Sequence, residues 1–102
     1  MPSRSATVEA LQSGRIDVGL LETTDARLDV QPVALLADDL GLQPHENVVP
    51  LVRTAVADRW GARLRDALDA VSARITTADL RRLNQAVEVD KLTPAQAAAR
   101  WW

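Results

Sequence analysis

Glu22, Thr23, Thr24 and Asp25 set two carboxylates and two hydroxyls in a row within a chain of 102 residues. A carboxylate at Glu22 suits a cation: two unit charges about 4 Å apart interact by about 4 kcal/mol at an intermediate dielectric, before desolvation is subtracted. It equally suits a solute with N–H donors, such as a polyamine or an amino acid, and a solvated loop charge is the plain alternative. The hydroxyls of Thr23 and Thr24 can donate to a bound carboxylate or cap a nearby helix. Asp25 can touch solute or anchor the loop by accepting backbone amides.

Other chemically capable residues are sparse. His45 is the only histidine and there is no cysteine, so a transition-metal site would need carboxylates for every other ligand, an unusual set for zinc or copper. Asp38 and Asp39 lack the alternating oxygen ligands of a calcium loop and read as a solvated turn. Arg81 and Arg82 are adjacent charges on an amphipathic stretch, and Trp101 with Trp102 reads as a lid over a core. No nucleophile has a positioned base and no glycine loop could cradle a phosphate, so the sequence carries no enzyme and no cofactor site. With 12 Lys and Arg against 14 Asp and Glu, the chain lacks a broad basic face, which argues against nucleic acid as a partner.

The elements that must position these groups follow from periodicity. Residues 5–13 read as a short helix, with Val8 and Leu11 on one face and Gly14 at the left-handed C-terminal cap. Ile16, Val18 and Leu20 then alternate with Asp17 and Gly19, the pattern of a strand, which puts residues 22–25 at a strand's C-terminal end, where open α/β sheets place ligands. Residues 30–37 form a second apolar run read as a strand, and 48–52 a third extended segment, with Pro50 favouring an edge or an irregular crossing. Residues 38–47, with Gly41, Pro44, His45 and Asn47, form an irregular loop between them.

The remainder reads as helix. Residues 54–74 repeat Trp60, Leu64, Leu68, Val71 and Ile75 at spacings of three and four, with Gly61 as a possible break. Thr76 and Asp79 have the spacing of an acidic capping box ahead of Leu80, Leu83 and Val87. Thr93, Pro94 and Gln96 supply a cap, a first-turn proline and a capping-box partner for a last helix. The expected architecture is one α/β unit of about three strands and four helices. Apolar residues at 47% and charged residues at 25% are the proportions of a chain that folds. No stretch nears the ~20 apolar residues that span a bilayer, and residues 1–14 lack the apolar core of an export signal.

A resemblance adds to this reading. Ser13-Gly14-Arg15-Ile16-Asp17-Val18-Gly19 recurs across type II periplasmic-binding folds, including effector domains of LysR-type regulators. It is followed in order by Thr23-Thr24-Asp25, Ala37-Asp38-Asp39, Leu42-Gln43-Pro44 and Glu46 through Arg53. After these come Ile75 through Leu80, Leu83-Asn84, Val87, and Pro94 with the alanine-rich turn before Trp101. From about Val8 onward this series resembles the C-terminal portion of the quaternary-amine-binding proteins of ABC importers, which carry osmoprotectants such as glycine betaine, choline and carnitine.

The resemblance implies a partial type II periplasmic-binding-protein fold, residues 1–25 being the end of the second lobe and 26–102 the return to the first. The opening strands of the first lobe and most of the second have no counterpart here. It implies a binding set of Glu22, Thr23, Thr24, Asp25, His45 and Asn47. Ammonium-caging rings usually stand where this chain has Glu22 and His45, and no Phe or Tyr occurs anywhere. The implied partners are a small quaternary amine, the transporter's membrane subunits, and either the missing lobe or a second copy. The implied place of work is outside the cytoplasmic membrane, bound to the transporter. Two other readings stay open: an effector-binding piece of a LysR-type regulator, and a stand-alone interaction module whose ligand site has decayed.

Overall fold

A computed structural model describes residues 3–102, so the first two residues of the expected 1–25 lobe segment lie outside the described residues. Four helices follow one another: α1 (Arg4–Gln12), α2 (Thr54–Ser72), α3 (Thr77–Glu88) and α4 (Pro94–Trp101). Their ends are set by local chemistry. At α1, Ser3 caps the N-terminus through the Ala6 amide. Gly14, at φ 68°, closes the other end as the amides of Gly14 and Arg15 return to the carbonyls of Leu11 and Ala10, the paired bonds of a Schellman motif.

Thr76 with Asp79 and Thr93 with Gln96 both form complete capping boxes, and Pro94 opens the first turn of α4. Gly61 interrupts α2 at φ 53° and ψ −139°, a region open only to glycine.

The expected α/β unit is corrected here. Among the described residues there is no strand, and segments 16–20, 30–37 and 48–52 run without ladder partners. The backbone bonds near the second of them are local turns, such as the Val30 amide to the Arg27 carbonyl and the Val33 amide to the Gln31 carbonyl. A strand is held by a neighbour that satisfies its amides and carbonyls and by a surface that covers one face, and these segments have neither. Their apolar side chains face outward: Val18 is 71% exposed, Leu36 73%, Val48 77% and Leu51 95%.

The packed region is correspondingly small. Val8, Ala26 and Ala97 are its buried apolar residues, joined by the buried Asp25. α3 packs on α4, while residues 48–63, which include the first half of α2, are exposed throughout. The accessible surface is 8460 Å², whereas a compact chain of 11.1 kDa exposes about 5,700 Å². The radius of gyration is 17.2 Å against about 13 Å for a compact domain of this length. The excess, about 2,800 Å², exceeds the ~800 Å² that one partner contributes to an ordinary stable interface.

Candidate functional site

Gly19 starts the geometry of the site. A Cβ there would stand 2.7 Å from Thr7 Cγ2 and 3.3 Å from Leu11 Cδ1, so the missing side chain lets the segment lie flush on α1. Three residues later Glu22 faces the start of that helix, its Oε2 3.4 Å from Arg4 Nη1. Both side chains are more than half exposed, so the pair is weak and open to exchange.

The chain then turns, the Asp25 amide donating to the Glu22 carbonyl at 3.0 Å. Asp25 is 1% exposed. Its carboxylate accepts three hydrogen bonds from Arg27, from the backbone amide at 3.0 Å, Nε at 2.9 Å and Nη2 at 2.7 Å. The Arg27 side-chain bonds hold the Asp25 carboxyl below the usual carboxylate range against the opposing pull of burial, and the same contact raises the guanidinium. Arg27 Nη1 also donates to Ser5 Oγ on α1 at 3.3 Å.

On its other side the loop is held by α3. Arg81 Nε donates to the Thr23 carbonyl at 2.9 Å and its Nη1 pairs with Asp29 at 2.6 Å. Asn84 Nδ2 donates to the Thr24 carbonyl at 2.8 Å. Residues 22–29 are thus tied to α1 and to α3 at once, with the carbonyls of Glu22 through Asp25 engaged and the side chains of Glu22 and Thr23 exposed. Beside them Ser3, Arg4, Ser5, Arg27, Glu88 and Val89 bound a shallow, open cavity of about 390 Å³.

The six sequence-predicted residues separate into two groups. Glu22, Thr23, Thr24 and Asp25 share one turn. His45 and Asn47 are exposed on the later loop, and among the described residues no hydrogen bond or ion pair joins them to that turn. The loop around His45 has its own local order. Asp38 accepts the amides of Leu42 and Gln43 at 2.8 and 3.0 Å, bonds that lower its pKa, with a smaller contribution from nearby His45.

Sequence reasoning assigned no role at this site to Arg4, Arg27, Arg81 and Asn84. Two of them left a signal. Arg27 follows Asp25 by two residues, the spacing at which a loop carboxylate can take both the amide and the side chain of one residue. Asn84 is a polar residue within the apolar stripe of Leu80, Leu83 and Val87, and a side chain in that register needs a partner.

Aromatic chemistry lies elsewhere. The Trp101 and Trp102 rings stand 6.1 Å apart at 56°, and Arg74 already lies over both, 5.4 and 4.9 Å from their centroids. The chain's one pair of neighbouring rings therefore holds an internal cation. Among the described residues no cluster of three or more histidine or acidic side chains could hold a metal, and no helix is long and apolar enough to cross a membrane.

Comparison with known proteins agrees with the sequence resemblance. The family model for OpuAC, the substrate-binding domain of ABC-type glycine betaine transport systems, matches residues 1–102. A glycine-betaine-binding protein of Pseudomonas aeruginosa is 32% identical over 90 residues, covering 88% of this chain and 29% of that protein. The chain thus spans less than a third of the length of that relative. No solved structure matches it. Because that family model matches every residue from 1 to 102, the chain belongs to the substrate-binding domain family of ABC-type glycine betaine transport systems.

Proposed function

We propose that this chain supplies one side of a solute cleft in an ABC import receptor for glycine betaine and related quaternary amines such as choline and carnitine. The family match over all 102 residues carries the reading. In it, residues 1–25 end the second lobe and 26–102 return to the first. The exposed apolar side chains of residues 16–20, 30–37 and 48–52 are covered by the rest of the receptor. The receptor works outside the cytoplasmic membrane and presents its solute to the transporter's membrane subunits. The family is a binding component, in keeping with a site that converts nothing.

The solute's ammonium meets Glu22, whose weak pairing with exposed Arg4 a cation can displace at little cost. The carboxylate of glycine betaine or carnitine meets the Thr23 and Thr24 hydroxyls, with His45 and Asn47 contributing from the second loop. Asp25 stays with Arg27 and shapes the turn. Because a quaternary ammonium donates no hydrogen bonds and this chain offers no free ring pair, the aromatic contribution comes from the covering lobe. Closure of one side on the other is what the transporter senses.

Calorimetry tests this in two arms. The isolated chain shows no micromolar binding of glycine betaine, choline or carnitine. The Pseudomonas protein with its matching stretch replaced by this chain binds glycine betaine. Micromolar binding by the isolated monomer contradicts the shared cleft, and a folded chimera that binds none of the three solutes contradicts the assignment as a whole.

A further inference from the structure

We infer that Arg81 and Asn84 of α3 are positioning residues for the solute loop, acting through the backbone of Thr23 and Thr24; this rests on the reading that residues 22–25 face solute. The two side chains lie three residues apart on α3, so they emerge on the same side of the helix. Each donates to a carbonyl of the loop, at 2.9 and 2.8 Å. Arg81 also grips Asp29, in the turn that follows. Bonds to carbonyls fix the backbone and leave the side chain of Thr23 exposed and that of Glu22 engaged only by its weak pairing with Arg4.

Two features mark this as more than packing. Asn84 sits in an apolar register, where an alanine or leucine would pack without needing a partner, so its amide is explained by the carbonyl it meets. The loop is also held from two helices, by Arg81 and Asn84 of α3 on one edge and by the Arg27 bond to Ser5 of α1 on the other. Support of a binding loop from a neighbouring helix preserves the direction in which its side chains point. The tie also crosses the proposed boundary between residues 25 and 26, so α3 sets where one lobe's last turn sits relative to the other lobe's return.

The test uses Asn84→Ala, Asn84→Asp and Arg81→Lys. In the chain itself, amide exchange across residues 25–31 speeds at least tenfold in both Asn84 variants, while amides of α4 are unchanged. In the Pseudomonas chimera, glycine betaine affinity falls at least tenfold for both Asn84 variants and about fivefold for Arg81→Lys, with the urea midpoint nearly constant. Asn84→Asp has the same shape as asparagine but presents an acceptor to the Thr24 carbonyl. Measured as a ratio to wild type at the same pH, its deficit in affinity narrows as pH falls toward about 4 and the new carboxyl becomes a donor, a narrowing that a filling role would not show.

Unchanged loop exchange in all three variants overturns the inference whatever the chimera does. Full affinity in the Asn84 variants of a binding chimera overturns it while leaving the proposed function standing. A folded wild-type chimera that binds no betaine removes the proposed function instead, and the exchange result then decides whether α3 holds the loop.

Discussion

Replacing Asp25 with alanine should cost this chain more stability than replacing any exposed carboxylate. Asp25 is 1% exposed and accepts three charge-assisted bonds from Arg27, and such bonds are worth about 1.5–3 kcal/mol each when one is cut. The three share one carboxylate, so they do not add. The Arg27 side chain keeps 20% exposure, which lets water reach the guanidinium left behind and holds the loss below the ~3–5 kcal/mol of a fully buried pair. The expected loss is about 2–3 kcal/mol.

With a urea slope of about 1–1.5 kcal/mol/M for a chain of this size, the midpoint followed by circular dichroism drops by about 2 M, or the transition disappears. Asp25→Asn, which keeps an acceptor and loses the charge, falls between. The pKa direction adds a second signature. Because the folded carboxyl lies below its unfolded value, its contribution is complete above about pH 4 and is lost as pH falls through the lower folded value. Wild type and Asp25→Asn therefore converge on acidification. Asp39→Ala, an exposed loop carboxylate with no side-chain hydrogen bond, is the control, expected to behave as an ordinary surface substitution. An Asp25→Ala loss no larger than that of Asp39→Ala refutes the reasoning.

Further outcomes follow from other particular contacts. Gly19→Ala forces α1 off its neighbouring segment and destabilises by about 1–3 kcal/mol; Thr7→Ser, which removes the obstructing Cγ2, restores part of that in the same urea assay. Lys91 holds φ 61°, so Lys91→Gly raises stability by about 0.5–1 kcal/mol even though its Nζ bond to the Glu88 carbonyl is given up. Thr93→Ala removes the cap of α4 and costs about 1 kcal/mol with a loss of helical ellipticity. The uncovered apolar surface makes the isolated chain self-associate as concentration rises; light scattering that shows a clean monomer at high concentration contradicts this.

The helix ends were legible because capping is local. Thr76 with Asp79, and Thr93 with Pro94 and Gln96, carry their partners within three residues, and Gly14 and Gly61 mark conformations that other residues resist. The strands failed for the opposite reason. Alternation at Ile16, Val18 and Leu20 reports which side chains want cover, but a ladder and its cover come from residues distant in sequence, and among those described none supplies them. The turn at residues 22–25 was visible as a polar block. The roles of Arg81 and Asn84 were not, because a bond from α3 to a loop some sixty residues earlier leaves only an asparagine in an apolar stripe as its trace.

The shared cleft is tested most directly by radical footprinting of Val18, Leu36, Val48 and Leu51 in the dilute isolated chain and in the Pseudomonas chimera. The account predicts strong labelling of all four in the isolated chain and a severalfold drop in the chimera. Equal labelling in the two, or protection already present in the isolated monomer, would contradict it.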